Sequence, residues 1–358
     1  MKNITIIKIG SSLIVDDTGA FREQIIQIVL QNIQKEQQKG NQVLLVSSGA
    51  VAVGRSVLQK NNIPNESREI AAAVGQLYLM SLYKSIAETL DLTIAQILVS
   101  RPHLVERELF LKFQQTIAEF RDKNILPIIN ENDVMVTDTA WGFGDNDTLS
   151  ASLAISFAAK RLIILSHIDG LYTADPSVDS TATLISEVHD INQELMKYCD
   201  VTTSSVGRGG MISKMKAARL ATNIGTETYI INGTNPDALA TAFESGNVGT
   251  RCVARIPQNA LKNRKKWVLV ARTSAASIEV DNGAANAIQN GKSLLAVGIT
   301  QVYGQFKEGT SVEILNNQKE GIAFGVVDIS SEELLSKSFS SQHGVQVMHA
   351  DNIVRLTS

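Results

Sequence analysis

The sequence predicts an α/β fold, a mostly parallel sheet sandwiched by helices, with a small β-rich domain at its C-terminal end. As far as about residue 255, short hydrophobic runs alternate with longer segments of helical period. The runs lack the regular in-out alternation of a half-exposed strand, which is typical of strands covered on both faces. Alternating strands and helices favour a parallel sheet, and function in such folds lies at the carboxyl ends of the strands.

Six hydrophobic runs are the predicted strands of this sheet. They are Ile4–Ile9, Gln42–Ser47, Thr93–Val99, Ile125–Ile129, Arg161–Leu165 and Thr228–Ile231. Between the runs, apolar residues recur at helical spacing: Phe21, Ile25, Ile28, Val29 and Ile33 form one stripe. The segment from Arg68 to Leu90 is rich in Ala and Leu in the same manner, so we expect a helix at each of these two places.

A domain boundary is predicted where the composition becomes polar and basic, around Asn259 to Lys266. Beyond about residue 274 the pattern changes to short strands and tight turns. We therefore predict a first domain over residues 1–257, a linker over 258–273 and a β-rich domain over 274–358. The predicted strands of the last domain are Ser277–Val280, Gly298–Val302, Ser311–Leu315, Gly321–Val327 and Asn352–Leu356.

Composition and charge argue against several classes of protein, among them nucleic-acid-binding, zinc-binding and membrane proteins. The 358 residues carry a formal net charge of −3, so no overall cationic field would gather nucleic acid or anionic lipid. Cys199 and Cys252 lack the spacing of a disulfide framework or a zinc site. The first residues do not resemble a signal peptide, and no run approaches the roughly 18 apolar residues of a membrane helix. We expect a cytoplasmic protein that binds a small soluble ligand.

Two of the predicted strands end in glycine and small hydroxyl residues. Lys8-Ile9-Gly10-Ser11-Ser12 closes the first, and Ser47-Ser48-Gly49-Ala50 closes the second. Glycine lets the backbone approach a ligand closely, and a helix that begins just beyond would turn free N–H groups toward an anion. The alternative is that strand-to-helix turns use Gly and Ser for conformational reasons alone.

Lys8 strengthens the first of these two sites. A lysine in an apolar strand is costly to bury unless its side chain points into a polar site. Beside a glycine turn, its ammonium group is well placed to contact phosphate oxygens. The alternative is a lysine of an edge strand that faces solvent.

Two clusters of short polar side chains suit a zwitterionic ligand. Asn130-Glu131-Asn132-Asp133 follows the fourth run, and Gly144-Asp145-Asn146-Asp147 precedes a helical pattern from Thr148 to Ala159. Carboxylates bind an ammonium group and amide N–H groups bind a carboxylate. The alternative is an Asx turn followed by a helix N-cap.

A third glycine-rich segment precedes another predicted helix, Lys216 to Ala221. It reads Gly207-Arg208-Gly209-Gly210-Met211-Ile212-Ser213-Lys214 and is not a Walker A sequence. Its backbone amides, with Lys214 in the first helical turn, could cradle a polyphosphate.

Taken in order, these segments resemble the amino acid kinase family. The resemblance rests on Lys8 to Ser12, Ser47 to Ala50, Asn130 to Asp133, Gly144 to Asp147, Gly209 to Lys214 and the segment Asp169-Gly170-Leu171-Tyr172-Thr173-Ala174-Asp175-Pro176. The C-terminal segment resembles a PUA domain, so the similarity covers nearly the whole chain. Within the family, the pattern is most similar to members that phosphorylate free glutamate.

The resemblance implies roles for individual residues. Lys8 and Lys214 would neutralise charge on the transferring phosphoryl group, and Asp147 would orient them. The implied substrate-binding residues are Ser48, Gly49, Asn130, Asp133, Asp145 and Asn146. The implied ATP-binding residues are Lys8, Gly10, Ser11, Ser166, His167, Arg208, Gly209, Gly210, Met211, Ile212, Ser213 and Lys214. No protein-bound metal is implied.

The chain departs from the family pattern on the nucleotide side. Ser166-His167 stands where relatives commonly carry Thr-Asp, and Arg208 replaces the usual Thr before the paired glycines. The resemblance is therefore closer for the residues that would contact phosphate than for those that would contact adenosine.

The implied activity is that of an ATP-dependent phosphotransferase with a carboxyl group as acceptor. It would convert the γ-carboxylate of L-glutamate to L-glutamyl 5-phosphate, the first step of proline biosynthesis, with Mg²⁺ on the ATP phosphates. A glutamate side chain has a pKa of about 4.3, so the nucleophile is already ionised at neutral pH and needs no general base. Catalysis should then be mostly electrostatic.

The resemblance also implies partners. Proline would inhibit the enzyme through the loop between Asp133 and Gly144, and a glutamyl phosphate reductase would act as a transient partner that receives the product. A homo-oligomer, either a dimer or a tetramer, is expected.

Two other functions remain open. The same fold could act on aspartate, acetylglutamate, carbamate or uridine monophosphate, since glycine loops and lysines would look alike in all of these. PUA domains often bind structured RNA, but from Lys262 to the end ten Lys and Arg face nine Asp and Glu, whereas RNA binding favours a cationic surface. A tail that supports assembly or regulation is preferred over an RNA-binding one.

Overall fold

The computed structural model describes residues 3–16, 18–63, 66–135, 142–200, 210–255, 263–336 and 344–356. The chain divides into two compact units, Met1–Gln258 and Asn259–Ser358. Arg208 and Gly209, two of the predicted ATP-binding residues, lie outside the described residues.

The first unit contains an eight-stranded sheet among its described residues. Its strands are β1 (Ile4–Ile9), β2 (Gln42–Val46), β3 (Ile94–Val99), β4 (Leu126–Glu131), β5 (Arg161–Ser166), β6 (Glu187–Val188), β7 (Glu227–Asn232) and β8 (Thr250–Cys252). Their spatial order is β3-β4-β2-β1-β5-β7-β8-β6. All neighbouring pairs are parallel except β7 and β8, which confirms the predicted mostly parallel sheet.

Helices connect these strands, as the alternating pattern predicts. They are α1 (Glu23–Gln38), α2 (Ala50–Lys60), α3 (Arg68–Thr89), α4 (Pro102–Val105), α5 (Arg107–Asp122), α6 (Asn146–Ser156), α7 (Gln193–Asp200), α8 (Met211–Thr222) and α9 (Ala238–Phe243). One apolar core is formed by β1, β2 and β5 with α1 and α3. Apolar area removed from water on both faces of the sheet is the main stabilising contribution to such a core.

Strand β1 lies at the centre of the sheet and sets the position of Lys8. It pairs with β2 on one side and β5 on the other, and Lys8 lies opposite Val46 and Ile164. Ile7 and Ile9, on either side of Lys8, are fully buried in the core. Lys8 is therefore an interior residue, and the alternative of a solvent-facing edge lysine is wrong.

Strand β3 differs from the prediction that all six strands are covered on both faces. It is the outermost strand of the sheet, next to β4 only. Several of its side chains are partly or fully exposed, and Leu98 retains 38% of its accessible surface. A bare hydrophobic run therefore does not distinguish a central strand from an edge strand.

Helices α2 and α3 pack closely because each has a glycine at the crossing. A Cβ atom on Gly54 would lie 1.7 Å from the carbonyl oxygen of Ala71. A Cβ atom on Gly75 would lie 1.8 Å from the carbonyl oxygen of Ala50. Only glycine fits at these two positions, so the backbones of α2 and α3 are in direct contact at the crossing.

Helix α3 meets, by length and composition, the criteria for a membrane-spanning helix, in contrast to the prediction that no such segment exists. Half of the 18-residue stretch that meets these criteria is buried inside the structure. Its buried residues include Leu79 and Tyr83, which belong to the core of the first unit. Core helices of globular proteins have the same properties, so this helix is weak evidence for a membrane span.

The second unit is β-rich, as predicted. Its elements are α10 (Asn263–Ala271), β9 (Arg272–Val280), α11 (Asn282–Gln289), β10 (Leu294–Leu295), β11 (Ile299–Tyr303), β12 (Ser311–Leu315), β13 (Gly321–Val326), α12 (Ser331–Leu335), β14 (Gln346–Met348) and β15 (Ile353–Arg355). Five strands form a sheet in the order β11-β9-β12-β13-β15, and β10 pairs with β14. Most of the predicted linker, residues 258–273, has regular structure, since it contains α10 and the start of β9.

We predict that Gly54→Ala lowers the free energy of unfolding by about 3 kcal/mol, because the added methyl group would overlap the Ala71 carbonyl and force the two helices apart. Urea denaturation followed by circular dichroism measures this change. Gly283→Ala in α11 is the matched control, since its Cβ would meet only Asp281 Oδ1 at 3.3 Å. The control should stay within about 1 kcal/mol of the original chain. Equal stability of both variants would contradict the close packing of α2 on α3.

Candidate active site

A cavity of about 630 Å³ lies at the carboxyl ends of β1, β2, β4 and β5, which are neighbours in the sheet. The predicted site residues at or just beyond the ends of these strands line it, namely Lys8, Gly10, Ser11, Ser48, Gly49, Asn130, Asp133, Ser166 and His167. The start of α6 adds Asp145, Asn146 and Asp147, and α8 adds Lys214. Residues from six separate segments of the sequence therefore share one cavity.

Asp147 contacts both predicted lysines. Its Oδ1 lies 2.7 Å from Lys8 Nζ, and its Oδ2 lies 3.5 Å from Lys214 Nζ. Asp147 is fully buried, and both lysines are buried as well. The strand β1 and the helices α6 and α8 thus bring two ammonium groups and one carboxylate together at the cavity wall.

Lys8, Asp147 and Lys214 form a charged trio, and the neighbouring charges affect the pKa values of Asp147 and Lys214. Burial alone would raise the pKa of Asp147, but the charges of Lys8 and Lys214 outweigh burial and hold that pKa below its usual value. Burial, together with the charge of Lys8, lowers the pKa of Lys214, although Asp147 acts in the opposite direction. Asp147 is therefore ionised at neutral pH and carries the negative charge between the lysines.

The Ser213 hydroxyl lies between two carboxylates, 2.9 Å from Asp145 Oδ2 and 2.9 Å from Asp147 Oδ2. Asp145 also caps α6, because its Oδ1 accepts a hydrogen bond of 2.7 Å from the backbone N–H of Thr148. Ser213 precedes Lys214 on α8, so this contact ties the helix that carries Lys214 to the helix that carries Asp147.

Asn146 organises the ends of β2 and β4. Its amide nitrogen donates to the Ser47 carbonyl at 2.8 Å, to Ser48 Oγ at 3.2 Å and to Asn130 Oδ1 at 2.9 Å. Asn130 in turn donates to Gln76 Oε1 on α3 at 2.9 Å. The Asn146 Oδ1 atom is buried and has no hydrogen-bond partner within the described ranges. Asn146 lines the cavity, but this oxygen is shielded from solvent.

The backbone at the start of α2 also faces the cavity. Gly49 is the N-cap residue and has φ of 97°, a left-handed conformation that favours glycine. Gly49, Ala50 and Val51 line the cavity, and helix N-terminal N–H groups attract anions.

Arg68 and Arg55 also line the cavity, although no sequence motif marks either residue as part of a site. Arg68, at the start of α3, forms an ion pair with Asp133 in which Nη2 and Oδ1 are 2.6 Å apart. Glu131 lies nearby and is buried, and burial raises its pKa. Arg68 is far from Asp133 in sequence and follows no strand, so strand-end reasoning does not find it.

Only some of the described residues in the predicted ATP-binding set line the cavity. Ser166 and His167 line the cavity, and Ser12 Oγ lies 3.5 Å from His167 Nδ1. Burial, and then the charge of Lys214, lowers the pKa of His167, so its ring is neutral at pH 7. Gly210 is the N-cap of α8 and Met211 and Ile212 begin that helix, but these three residues are not part of the cavity wall.

The sequence matches two known families. Residues 3–232 match the amino acid kinase family, and residues 276–350 match the PUA domain. Both matches confirm the resemblance inferred from the motifs, and the first one covers well over half of the chain.

Full-length relatives agree with these matches. A glutamate 5-kinase of Dehalococcoides mccartyi (strain CBDB1) is 34% identical over 364 residues, which cover 98% of this chain and 97% of that protein. A glutamate 5-kinase of Vibrio campbellii (strain ATCC BAA-1116) is 36% identical over 363 residues, which cover 98% and 95%.

A solved structure shows the shared fold. Carbamate kinase from Giardia lamblia bound to AMP-PNP has a TM-score of 0.50 and 18% sequence identity, and the match covers 70% of this chain and 98% of that one. At this identity, the likeness concerns the fold alone. On the strength of the family matches and the full-length relatives, the chain belongs to the amino acid kinase family and, within it, to the glutamate 5-kinases.

Proposed function

We propose that this kinase transfers the γ-phosphoryl group of ATP to the γ-carboxylate of L-glutamate, forming L-glutamyl 5-phosphate and ADP as the first step of proline biosynthesis. The observation that carries the proposal is the pair of buried lysines, Lys8 and Lys214, on one buried carboxylate at the cavity. The family supplies the reaction class, and the cavity supplies groups of the right charge for each part of the reactants.

The reaction needs no proton transfer. A carboxylate oxygen of glutamate attacks the γ-phosphorus of ATP, the new O–P bond forms, and the bond from phosphorus to the β–γ bridging oxygen breaks with ADP as leaving group. The acceptor is already an anion at neutral pH, since its ordinary pKa is about 4.3. Both lysines lie close to Asp147, whose carboxylate they keep ionised. Neither lysine serves as a base in this scheme.

The main barrier is the approach of two anions. Two lysines and one aspartate carry a combined charge of +1, so the trio attracts the transferring phosphoryl group even though Asp147 is ionised. Fixed charges in a site that excludes water stabilise developing charge more strongly than the same charges in water. Lys8 would lie beside the glycine turn that follows β1, and Lys214 at the start of α8, on the side of the nucleotide.

Mg²⁺ belongs to this proposal as part of the co-substrate. Within the described residues, no group of three His, Cys, Asp or Glu side chains is placed to hold a metal ion. In the proposed reaction Mg²⁺ would bind the ATP phosphates, where it would neutralise charge that the two lysines do not reach.

The opposite side of the cavity suits the amino acid. The carboxylate oxygens of Asp133 are acceptors for an ammonium group, and Ser48 with the α2 N-terminus offers donors. A zwitterion with one further carboxylate matches this distribution better than a nucleotide does. Carbamate, which has no ammonium group, would leave these acceptors unused.

The proposed activity also suggests how the enzyme is regulated and where it acts. We propose that proline inhibits the enzyme at or beside the glutamate site, that the product passes to a glutamyl phosphate reductase, and that the enzyme is a cytoplasmic homo-oligomer. The loop from Asp133 to Gly144, the proposed element for inhibition, includes residues 136–141, which lie outside the described residues.

The substrate is tested by trapping the acyl phosphate with hydroxylamine in the presence of Mg·ATP. We predict hydroxamate formation with glutamate at a rate at least tenfold above that with aspartate or N-acetylglutamate, because aspartate is one methylene shorter and N-acetylglutamate lacks the ammonium group. ADP release with uridine monophosphate or carbamate is measured in parallel. Faster turnover with any of these other acceptors would contradict the proposed substrate and leave the kinase assignment intact.

Proline inhibition is tested in the same assay. We predict that millimolar proline suppresses hydroxamate formation and that raising the glutamate concentration restores it, because the two ligands would compete at or near one site. Glycine at the same concentration is the control. Full activity in millimolar proline would remove the proposed regulation without affecting the proposed reaction.

A further inference from the structure

The ion pair between Arg68 and Asp133 is set in the cavity wall and not on the outer surface. Both residues line the cavity, on the side formed by the end of β4 and the start of α3. The side chain of Asp133 is 11% exposed and that of Arg68 is 37% exposed. The pair is therefore accessible to a ligand while its carboxylate is largely desolvated.

The surroundings of this pair are acidic. The carboxylates of Asp133 and Asp145 act on Glu131 in the same direction as its burial and favour its protonated form, whereas Arg68 opposes them. Arg68 thus offsets negative charge on this side of the cavity, where Asp133 and Asp145 line the wall and Glu131 is buried nearby. Without Arg68, Asp133 and Asp145 would repel a substrate carboxylate more strongly.

We propose that Arg68 binds the α-carboxylate of the amino acid substrate while Asp133 binds its α-ammonium group, so that the ion pair acts as one recognition unit for a free α-amino acid. This inference rests on the proposed function, because it names the part of the site that recognises the glutamate backbone atoms. Glutamate then lies with its α-carbon at Arg68 and Asp133 and its γ-carboxylate toward the lysine pair.

The atoms of the pair leave room for both contacts. The ion pair joins Arg68 Nη2 to Asp133 Oδ1, and a carboxylate has a second oxygen that can accept from an ammonium group. A guanidinium group has five N–H donors in a planar fork, which matches a carboxylate in a bidentate manner. Arg68 can therefore hold Asp133 with one nitrogen and the substrate carboxylate with the others.

A stabilising role alone does not account for this placement. Ion pairs with a partly exposed partner contribute little to stability, because water screens the charges and long side chains lose freedom. Arg121 and Asp122 form such a pair at the end of α5, with 2.9 Å between Nε and Oδ1 and with Arg121 38% exposed. Arg121 is absent from the cavity wall, so it provides an arginine of equal exposure with no expected contact to substrate.

The test compares Arg68→Gln with Arg121→Gln in the full chain. We expect Arg68→Gln to raise the KM for glutamate by about 10- to 100-fold, as for the loss of a charged hydrogen bond, while the KM for ATP changes less than twofold. Arg121→Gln should change neither value by more than twofold. Arg68→Lys, which keeps the charge but loses the fork, should lie between the wild type and Arg68→Gln.

Truncated substrates separate recognition of the two groups. In the wild type, ADP release should be faster with glutamate than with 4-aminobutyrate, which lacks the α-carboxylate, or with glutarate, which lacks the ammonium group. Arg68→Gln should lose at least tenfold of the preference over 4-aminobutyrate and keep most of the preference over glutarate. Asp133→Asn should show the reverse pattern. This readout compares substrates on one variant, so a general loss of folding does not produce it.

The outcomes distinguish failure of the role of Arg68 from failure of the proposed function. If the wild type turns over glutamate but Arg68→Gln keeps its KM within twofold, or keeps its full preference over 4-aminobutyrate, the role of Arg68 is wrong and the proposed function stands. An equal increase in the KM for ATP would also overturn it, since the effect would then not be specific to the amino acid. A wild type without any turnover of glutamate would overturn the proposed function and this inference together.

Discussion

The contact of one buried carboxylate with two buried ammonium groups is the interaction on which the rest of the site depends. Without Asp147, Lys8 and Lys214 would be two like charges close together in an interior that screens them poorly. With Asp147, the trio keeps one net positive charge at the cavity. That residual charge suits the transfer of a phosphoryl group between two anions, because it attracts the transferring phosphoryl group without any proton transfer.

The fold brings the trio together through three elements that also build the remainder of the cavity. Lys8 belongs to the central strand, Asp147 to the first turn of α6 and Lys214 to the first turn of α8. Ser213 and Asp145 tie the two helices to each other, and Asn146 ties α6 to the ends of β2 and β4. Helix α3 crosses α2 closely at Gly54 and Gly75, and its first residue, Arg68, lies beside Asp133.

Strand-end reasoning predicts much of this site from the sequence, because parallel strands converge at one edge and the short polar clusters follow them directly. It fails where geometry depends on packing between helices: Arg68 enters the cavity from α3, and no local pattern marks it. Periodicity also does not find β6, β10 and β14, which have only two or three residues each. The hydrophobic run of β3 predicts a strand but not its place at the edge, since edge and centre differ in neighbours and not in local sequence.

The most direct test of the central interaction is the turnover number of Asp147→Asn, measured as hydroxamate formation from glutamate and Mg·ATP. Asparagine keeps the shape of aspartate but removes the charge, so the lysines would repel each other and the pKa of Lys214, which Asp147 raises, would fall. We predict that kcat falls at least about 100-fold, the scale for loss of a preorganised charge contact, in protein whose circular dichroism spectrum matches that of the wild type. A folded variant with kcat within threefold of the wild type would contradict the account, because the lysine pair would then hold its position and charge without Asp147.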